Sequence, residues 1–141
     1  MTKKLTVADY PLAETQPERI TGKRGKRLSE ITLEAVLASA ITMEDLRITP
    51  KALCDQAEIS RAAGRPTLAL NFERASELVD VAQDFIMEVY ELLRPGRAKS
   101  KQQLLDAAQT LRETHKAERV AAFVEEAAET YERRGLFTYR F

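Results

Sequence analysis

The chain has 141 residues, 22 basic and 22 acidic, with 44% hydrophobic and 31% charged residues and no tryptophan. Zero net charge supplies no global field to attract nucleic acid or an anionic membrane. No apolar run approaches the length needed to span a bilayer. With only five glycines, the composition points to one soluble, mostly helical domain rather than an all-β fold. A compact chain of this length would bury about 68% of its unfolded surface. The single cysteine excludes an internal disulfide and fits a reducing cytoplasm.

Residues 1–8, MTKKLTVA, lack the apolar core of a signal peptide. The next stretch, Asp9 to Ile20 (DYPLAETQPERI), has neither helical nor alternating apolar spacing. Pro11 and Pro17 push Tyr10 and Gln16 towards extended backbone. Residues 1–28 therefore read as an extended, irregular arm ending in the glycine-punctuated turn TGKRGKRL. Ordering an isolated arm costs about 1–2 kcal/mol per residue, so it is either disordered or lies on something. Tyr10, Leu12 and Ile20 are anchors that a disordered tail does not need. Docking on a partner and folding back over the chain's own helices both meet that requirement.

Helices fill 29–134. A short one opens at SEITLEAVLASA, capped by Ser29 or Thr32, with Ile31, Leu33, Val36 and Leu37 on its apolar side. Next, Thr49 caps a helix with Pro50 at its first position and Gly64 after its end. Pro66 starts another, with Leu68, Phe72, Ala75 and Leu78 or Val79 at helical spacing. Asp84 is the expected cap of a helix that places Phe85, Ile86, Val89, Tyr90 and Leu93 on one face and stops at Pro95-Gly96.

The last helical stretch runs from Ser100 to Arg134, with Ser100 and Gln103 spaced as a capping box. Unbroken, it would be roughly 50 Å long. The radius of gyration expected for the domain is only about 14 Å. Its apolar stripes, Leu104/Ala108/Leu111 and Val120/Val124/Ala127/Tyr131, lie roughly 135° apart around the axis. A break near His115 is expected, giving two longer C-terminal helices. Residues 135–141 form a short aromatic tail after Gly135. The fold class expected is all-α: short helices, two longer C-terminal ones, and an extended irregular N-terminal arm.

No catalytic or metal constellation emerges. One His and one Cys cannot build a His/Cys metal cluster. His115 lies among charges and reads as a surface residue; Cys54, beside Leu53, reads as a small packed thiol. GKRGKR lacks phosphate-loop spacing and a preceding strand. It reads as a solvated turn or as a basic patch for an acidic surface. Glu129 and Arg133 are spaced for an i,i+4 pair. The stretch from Ile48 to Phe72 superficially resembles a helix-turn-helix, with Arg61 and Arg65 available. Pro66, Glu73 and Glu77 oppose a DNA-reading second helix, which leaves a stand-alone DNA-binding or adaptor protein as the alternative.

DYPLA, PERI, ITLEAVL, LRIT, QAEISRAAGR, ALNFERASELV, VYELLRP and AAFVEEAAETY occur in this order from about Val7 to Arg134. In this the chain resembles the small (gamma) subunit of coenzyme-B12-dependent diol and glycerol dehydratases. The resemblance implies a hydro-lyase converting 1,2-diols to aldehydes and water, built as a dimer of three-subunit units. It places substrate and metal ion in a TIM-barrel large (alpha) subunit, and adenosylcobalamin between the large and medium (beta) subunits. The small subunit is then a mainly helical structural and assembly component, with no catalytic, cofactor-binding or metal-binding residue of its own. The arm would drape on the large subunit, with Tyr10, Pro11 and Leu12, and also Arg94 and Pro95, facing the partner. No nucleic-acid or membrane partner is implied, and the location expected is the cytoplasm, with enclosure in a bacterial microcompartment left open. Some relatives carry a longer extension before DYPLA linked to packaging; here eight residues precede Asp9, which leaves packaging through this chain open. The sequence also has DVAQDF where relatives commonly place a proline turn after NFERASELV.

Overall fold

A computed structural model describes residues 3–137. They contain eight α-helices and no strand, so the fold is all-α. The helices are α1 (Leu12–Thr15), α2 (Leu33–Leu37), α3 (Met43–Leu46), α4 (Pro50–Ala62), α5 (Pro66–Leu78), α6 (Gln83–Leu93), α7 (Lys101–Glu113) and α8 (Glu118–Arg133). Two compact units divide the chain, Met1–Val79 and Asp80–Phe141. The tail expected after Gly135 lies outside the described residues from position 138 onward.

The first unit is built on the α4–α5 hairpin. The Thr49 hydroxyl accepts the Ala52 N–H at 3.2 Å, and Pro50 occupies the first turn, where it loses no hydrogen bond. Gly64, at φ 72°, ends α4 in the left-handed region that glycine enters without penalty. Two residues later Pro66 starts α5, whose Ala69 is wholly buried. Leu53, Ala57 and Ile59 form the buried side of α4.

Residues 3–20 wrap onto α4. Leu5 and Leu12 are buried with Ile59, and Ile20 packs against them. Tyr10 and Gln16, each preceding a proline, avoid helical backbone (ψ 137° and 59°). Between and beside them the arm turns in single helical steps: 3-10 turns at Val7–Asp9 and Pro17–Arg19, with α1 between. The Leu5 N–H donates to Glu58 of α4 at 3.0 Å, and Arg19 donates to Asp55 of α4 at 2.8 Å. Of the two ways to order the arm, the structure uses the chain's own helices for the apolar anchors Leu5, Leu12 and Ile20.

In the second unit α7 and α8 pack antiparallel. Leu104, Leu111 and Val124 are the large, fully buried side chains, and Ala108, Ala121 and Ala128 let the backbones approach. The expected break is present at 114–117, with Lys116 at φ 57°. Ala128, rather than Ala127, is the wholly buried alanine of the last turns. Each end of the hairpin is closed by charges. Lys101 meets Glu129 and Glu132, both at 2.7 Å, while Arg112 meets Glu118 at 2.9 Å and Glu125. Glu129 thus reaches across the hairpin rather than along its own helix to Arg133. The Tyr131 hydroxyl donates to the Leu93 carbonyl, tying α8 to the end of α6.

Some termini differ from expectation in detail. Helix α6 begins one residue before Asp84, which sits in its first turn as an acidic residue rather than as the cap. The Ser100 hydroxyl accepts the Gln103 N–H, but the Gln103 side chain takes the Lys99 N–H at 2.8 Å, so the box closes one residue early. Cys54 is exposed, not packed: at the position after Leu53 it is turned off the buried face of α4.

Candidate functional site

The turn before α2 is a structural joint. Thr21 and Arg27 form an isolated antiparallel bridge, closed by the Gly22 N–H to Lys26 carbonyl bond at 2.8 Å. Gly25, at φ 80°, supplies the left-handed step of the turn. Arg24 points its guanidinium at Asp45, with Nε–Oδ1 at 2.9 Å and Nη2–Oδ2 at 2.7 Å, and Nη2 also donates to the Ala40 carbonyl at 2.9 Å. Asp45 is buried and also accepts the Thr42 N–H at 2.9 Å, capping α3. The Arg24 guanidinium and the Thr42 N–H hold its carboxyl below the usual aspartate range. The GKRGKR cluster is therefore partly consumed inside the chain: Arg24 serves Asp45, and Lys26 lies 3.8 Å from Glu30.

Between that joint and α4 the chain exposes apolar side chains. In residues 28–48, Leu28, Leu33, Val36, Leu37, Met43, Leu46 and Ile48 are exposed. Leu33, Leu37 and Met43 reach 70%, 76% and 71% exposure, far beyond an ordinary surface leucine at the edge of a core. The i, i+3, i+4 spacing puts Leu33, Val36 and Leu37 on one face of α2; Met43 and Leu46 share a face of α3. The periodicity that marked α2 as amphipathic is real, but its apolar side faces solvent rather than the core. In residues 31–43 Glu34 is the one charged residue. Exposed apolar side chains concentrated in this way mark an interaction surface.

Tyr10 is 61% exposed. With Pro11 it lines a cleft of about 250 Å³ that Ile20, Ile48 and Asp55 also line. Leu12, grouped with them by sequence, is buried, and it anchors the arm that presents the other two. Arg94 and Pro95 are exposed at the end of α6, where Arg94 donates to Glu91 at 3.0 Å. They belong to the second unit, whereas Tyr10 and Pro11 belong to the first. Sequence reasoning missed Leu33, Leu37, Met43, Leu46 and Ile48 as surface groups. The near absence of charge across 31–43 was the available signal.

The groups with chemical potential are engaged elsewhere. His115 is half-buried and stacks on Phe85, with ring centroids 5.1 Å apart and planes at 28°. Asp55 is raised by burial, but hydrogen bonds from Arg19 and Lys51 outweigh this and leave its carboxyl below the ordinary range. Arg61, available for phosphate in the helix-turn-helix reading, donates to Glu73 of α5 at 2.9 Å. No group of three or more His, Cys, Asp or Glu able to hold a metal ion occurs among the described residues. No helix among them is long and apolar enough to cross a membrane.

Comparison with known proteins supplies the context for the exposed face. The sequence pattern of the dehydratase small subunit matches residues 5–138. The chain is 48% identical over 125 residues to the propanediol dehydratase small subunit of Citrobacter freundii. It has the same identity, over the same length, to that of Salmonella typhimurium strain LT2. In both cases the match covers 89% of this chain and 72% of the relative. The apolar face on residues 28–48 is thus carried by a chain of a subunit family, and this protein belongs to the dehydratase small-subunit family.

Proposed function

We propose that this chain is the structural and assembly subunit of an adenosylcobalamin-dependent diol dehydratase, a hydro-lyase that converts 1,2-diols such as propanediol or glycerol to aldehyde and water. The observation that carries this reading is the 48% identity, across 89% of the chain, to two propanediol dehydratase small subunits. In this reading the partners are a large and a medium subunit, in a dimer of heterotrimers. Catalysis belongs to the large subunit, and the setting is the cytoplasm or a microcompartment within it. Nucleic acid and membrane are not partners.

The fate of the titratable groups supports a structural role. Asp45 and Asp55 are each held ionised by an arginine. A carboxylate so paired is a counter-ion, not a proton shuttle at neutral pH. This chain's imidazole, His115, is half-buried and stacked on Phe85. In this reading adenosylcobalamin, which supplies radical chemistry when bound, is held by the other subunits. The contribution of this chain is surface: Tyr10, Pro11 and the apolar side chains of α2 and α3 bury on the large subunit. Leu12 holds the arm in place, and Arg94 and Pro95 form a second contact.

Co-expression tests the reading. Large and medium subunits are produced with and without this chain, and aldehyde formation from 1,2-propanediol is measured after adding adenosylcobalamin. The chain is expected to co-purify with the other two and to raise the yield of active complex. Co-purification failing for the full chain, with a large–medium pair that is stable and fully active alone, overturns the proposal.

A further inference from the structure

Residues 28–48 present a physical problem. Seven large apolar side chains point outward, and only Ile41 and Asp45 are buried. A segment with so little core of its own cannot be held in shape by hydrophobic contact. Its helices are one turn each, too short to persist alone.

One residue outside the segment holds both of its later parts. Arg24 reaches the Ala40 carbonyl, 16 residues along the chain, and the Asp45 carboxylate, 21 residues along, with the same guanidinium. The planar fork suits this double duty: Nε and Nη2 take the two carboxylate oxygens, and Nη2 also reaches the carbonyl. Asp45 passes the constraint on by accepting the Thr42 N–H at the start of α3. Backbone contact reinforces the clamp. A side-chain carbon at Gly22 would lie 2.7 Å from the Asp45 carbonyl oxygen, so the turn and α3 touch directly. The stretch carrying Leu33, Val36 and Leu37 is thus a loop closed at its base by one ion pair.

We propose that the Arg24–Asp45 pair is a positioning clamp that holds the apolar face of residues 28–48 in its docking shape, so that incorporation of this subunit depends on it although neither residue need touch the partner. The proposal rests on the reading of that face as the surface buried on the large subunit. A polar clamp suits a face that must stay uncovered until assembly. It fixes the loop without covering the apolar side chains.

The test uses the full chain and the reconstituted complex. Asp45→Asn removes the charge and Arg24→Lys keeps the charge but loses the fork. Lys101→Ala, which removes two ion pairs in the second unit, controls for general loss of surface charge pairs. Amide exchange is measured over 28–48 and over α4, and affinity for the large–medium pair is measured by titration. For Asp45→Asn, exchange is expected to accelerate over 28–48 and not over α4. Binding is expected to weaken about tenfold, because ordering a loosened loop on docking costs conformational entropy. Arg24→Lys should fall between wild type and Asp45→Asn, and Lys101→Ala should bind as wild type. Should Asp45→Asn bind like wild type, or exchange over 28–48 stay unchanged, the clamp proposal is overturned and the function stands. If the wild-type chain does not bind the large–medium pair at all, the functional reading fails and the clamp proposal fails with it.

Discussion

Asp45 and Asp55 each meet an arginine, and their titration has a definite sign. Arg24 and the Thr42 N–H lower the Asp45 pKa; at Asp55 the opposing effect of burial is outweighed by Arg19 and Lys51. A carboxylate with a lowered folded-state value stabilises the fold above its unfolded pKa, about 3.9 for Asp. That contribution is lost as pH falls through the folded value. Stability of the chain is therefore expected to be flat in this respect from neutral pH down to about 4 and to fall below it. Thermal unfolding at stepped pH checks this, and Asp45→Asn should show a shallower acid loss than wild type. The exposed position of Cys54 belongs to the same scale. The residue-type preference for burial pointed inward, but the helical phase set by Leu53, Ala57 and Ile59 decided otherwise.

At the scale of elements, local signals were strong where the backbone itself needs a particular residue. Thr49-Pro50 opens α4, and Gly64, Gly96 and Gly135 close helices at positive φ, where they relieve the steric penalty on other residues. Thr49→Ala is expected to destabilise the chain by about 0.5–2 kcal/mol through the lost cap to Ala52. Urea unfolding followed by circular dichroism measures it. The break between α7 and α8 was equally legible, because two apolar stripes on different sides of one axis cannot both face a single neighbour. The helical turns of the arm were not legible. Their prolines set backbone angles at Tyr10 and Gln16, but nothing local says that Leu5, Leu12 and Ile20 meet Ile59.

Among the described residues the exposed large apolar side chains are unevenly placed. The first unit exposes Val7, Tyr10, the seven apolar side chains of 28–48 named above and Leu70; the second exposes Met87, Tyr90 and Phe123. If the first group is the docking face, replacing Leu33 and Leu37 together by Ser should weaken incorporation into the dehydratase about tenfold or more, as expected for central apolar anchors. It should leave thermal unfolding of the free chain nearly unchanged, since both side chains are already in water. Equal incorporation of this variant would move the interface elsewhere. Reconstitution titrations beside thermal scans give both readouts.

The sequence by itself determined the helical class, the helix boundaries marked by Thr, Pro and Gly, the hairpin break near His115 and the family. These depend on backbone conformation and on side-chain order along the chain. Tertiary structure alone decided which amphipathic faces became core. Helix α2 has a well-formed apolar side that stays exposed, and Leu12 left the expected partner surface for the chain's own interior. Periodicity shows that a face is apolar, not what will cover it. That is settled by contacts between residues distant in sequence, such as Arg24 with Asp45 and Leu12 with Ile59, whose energies appear only when the chain closes on itself.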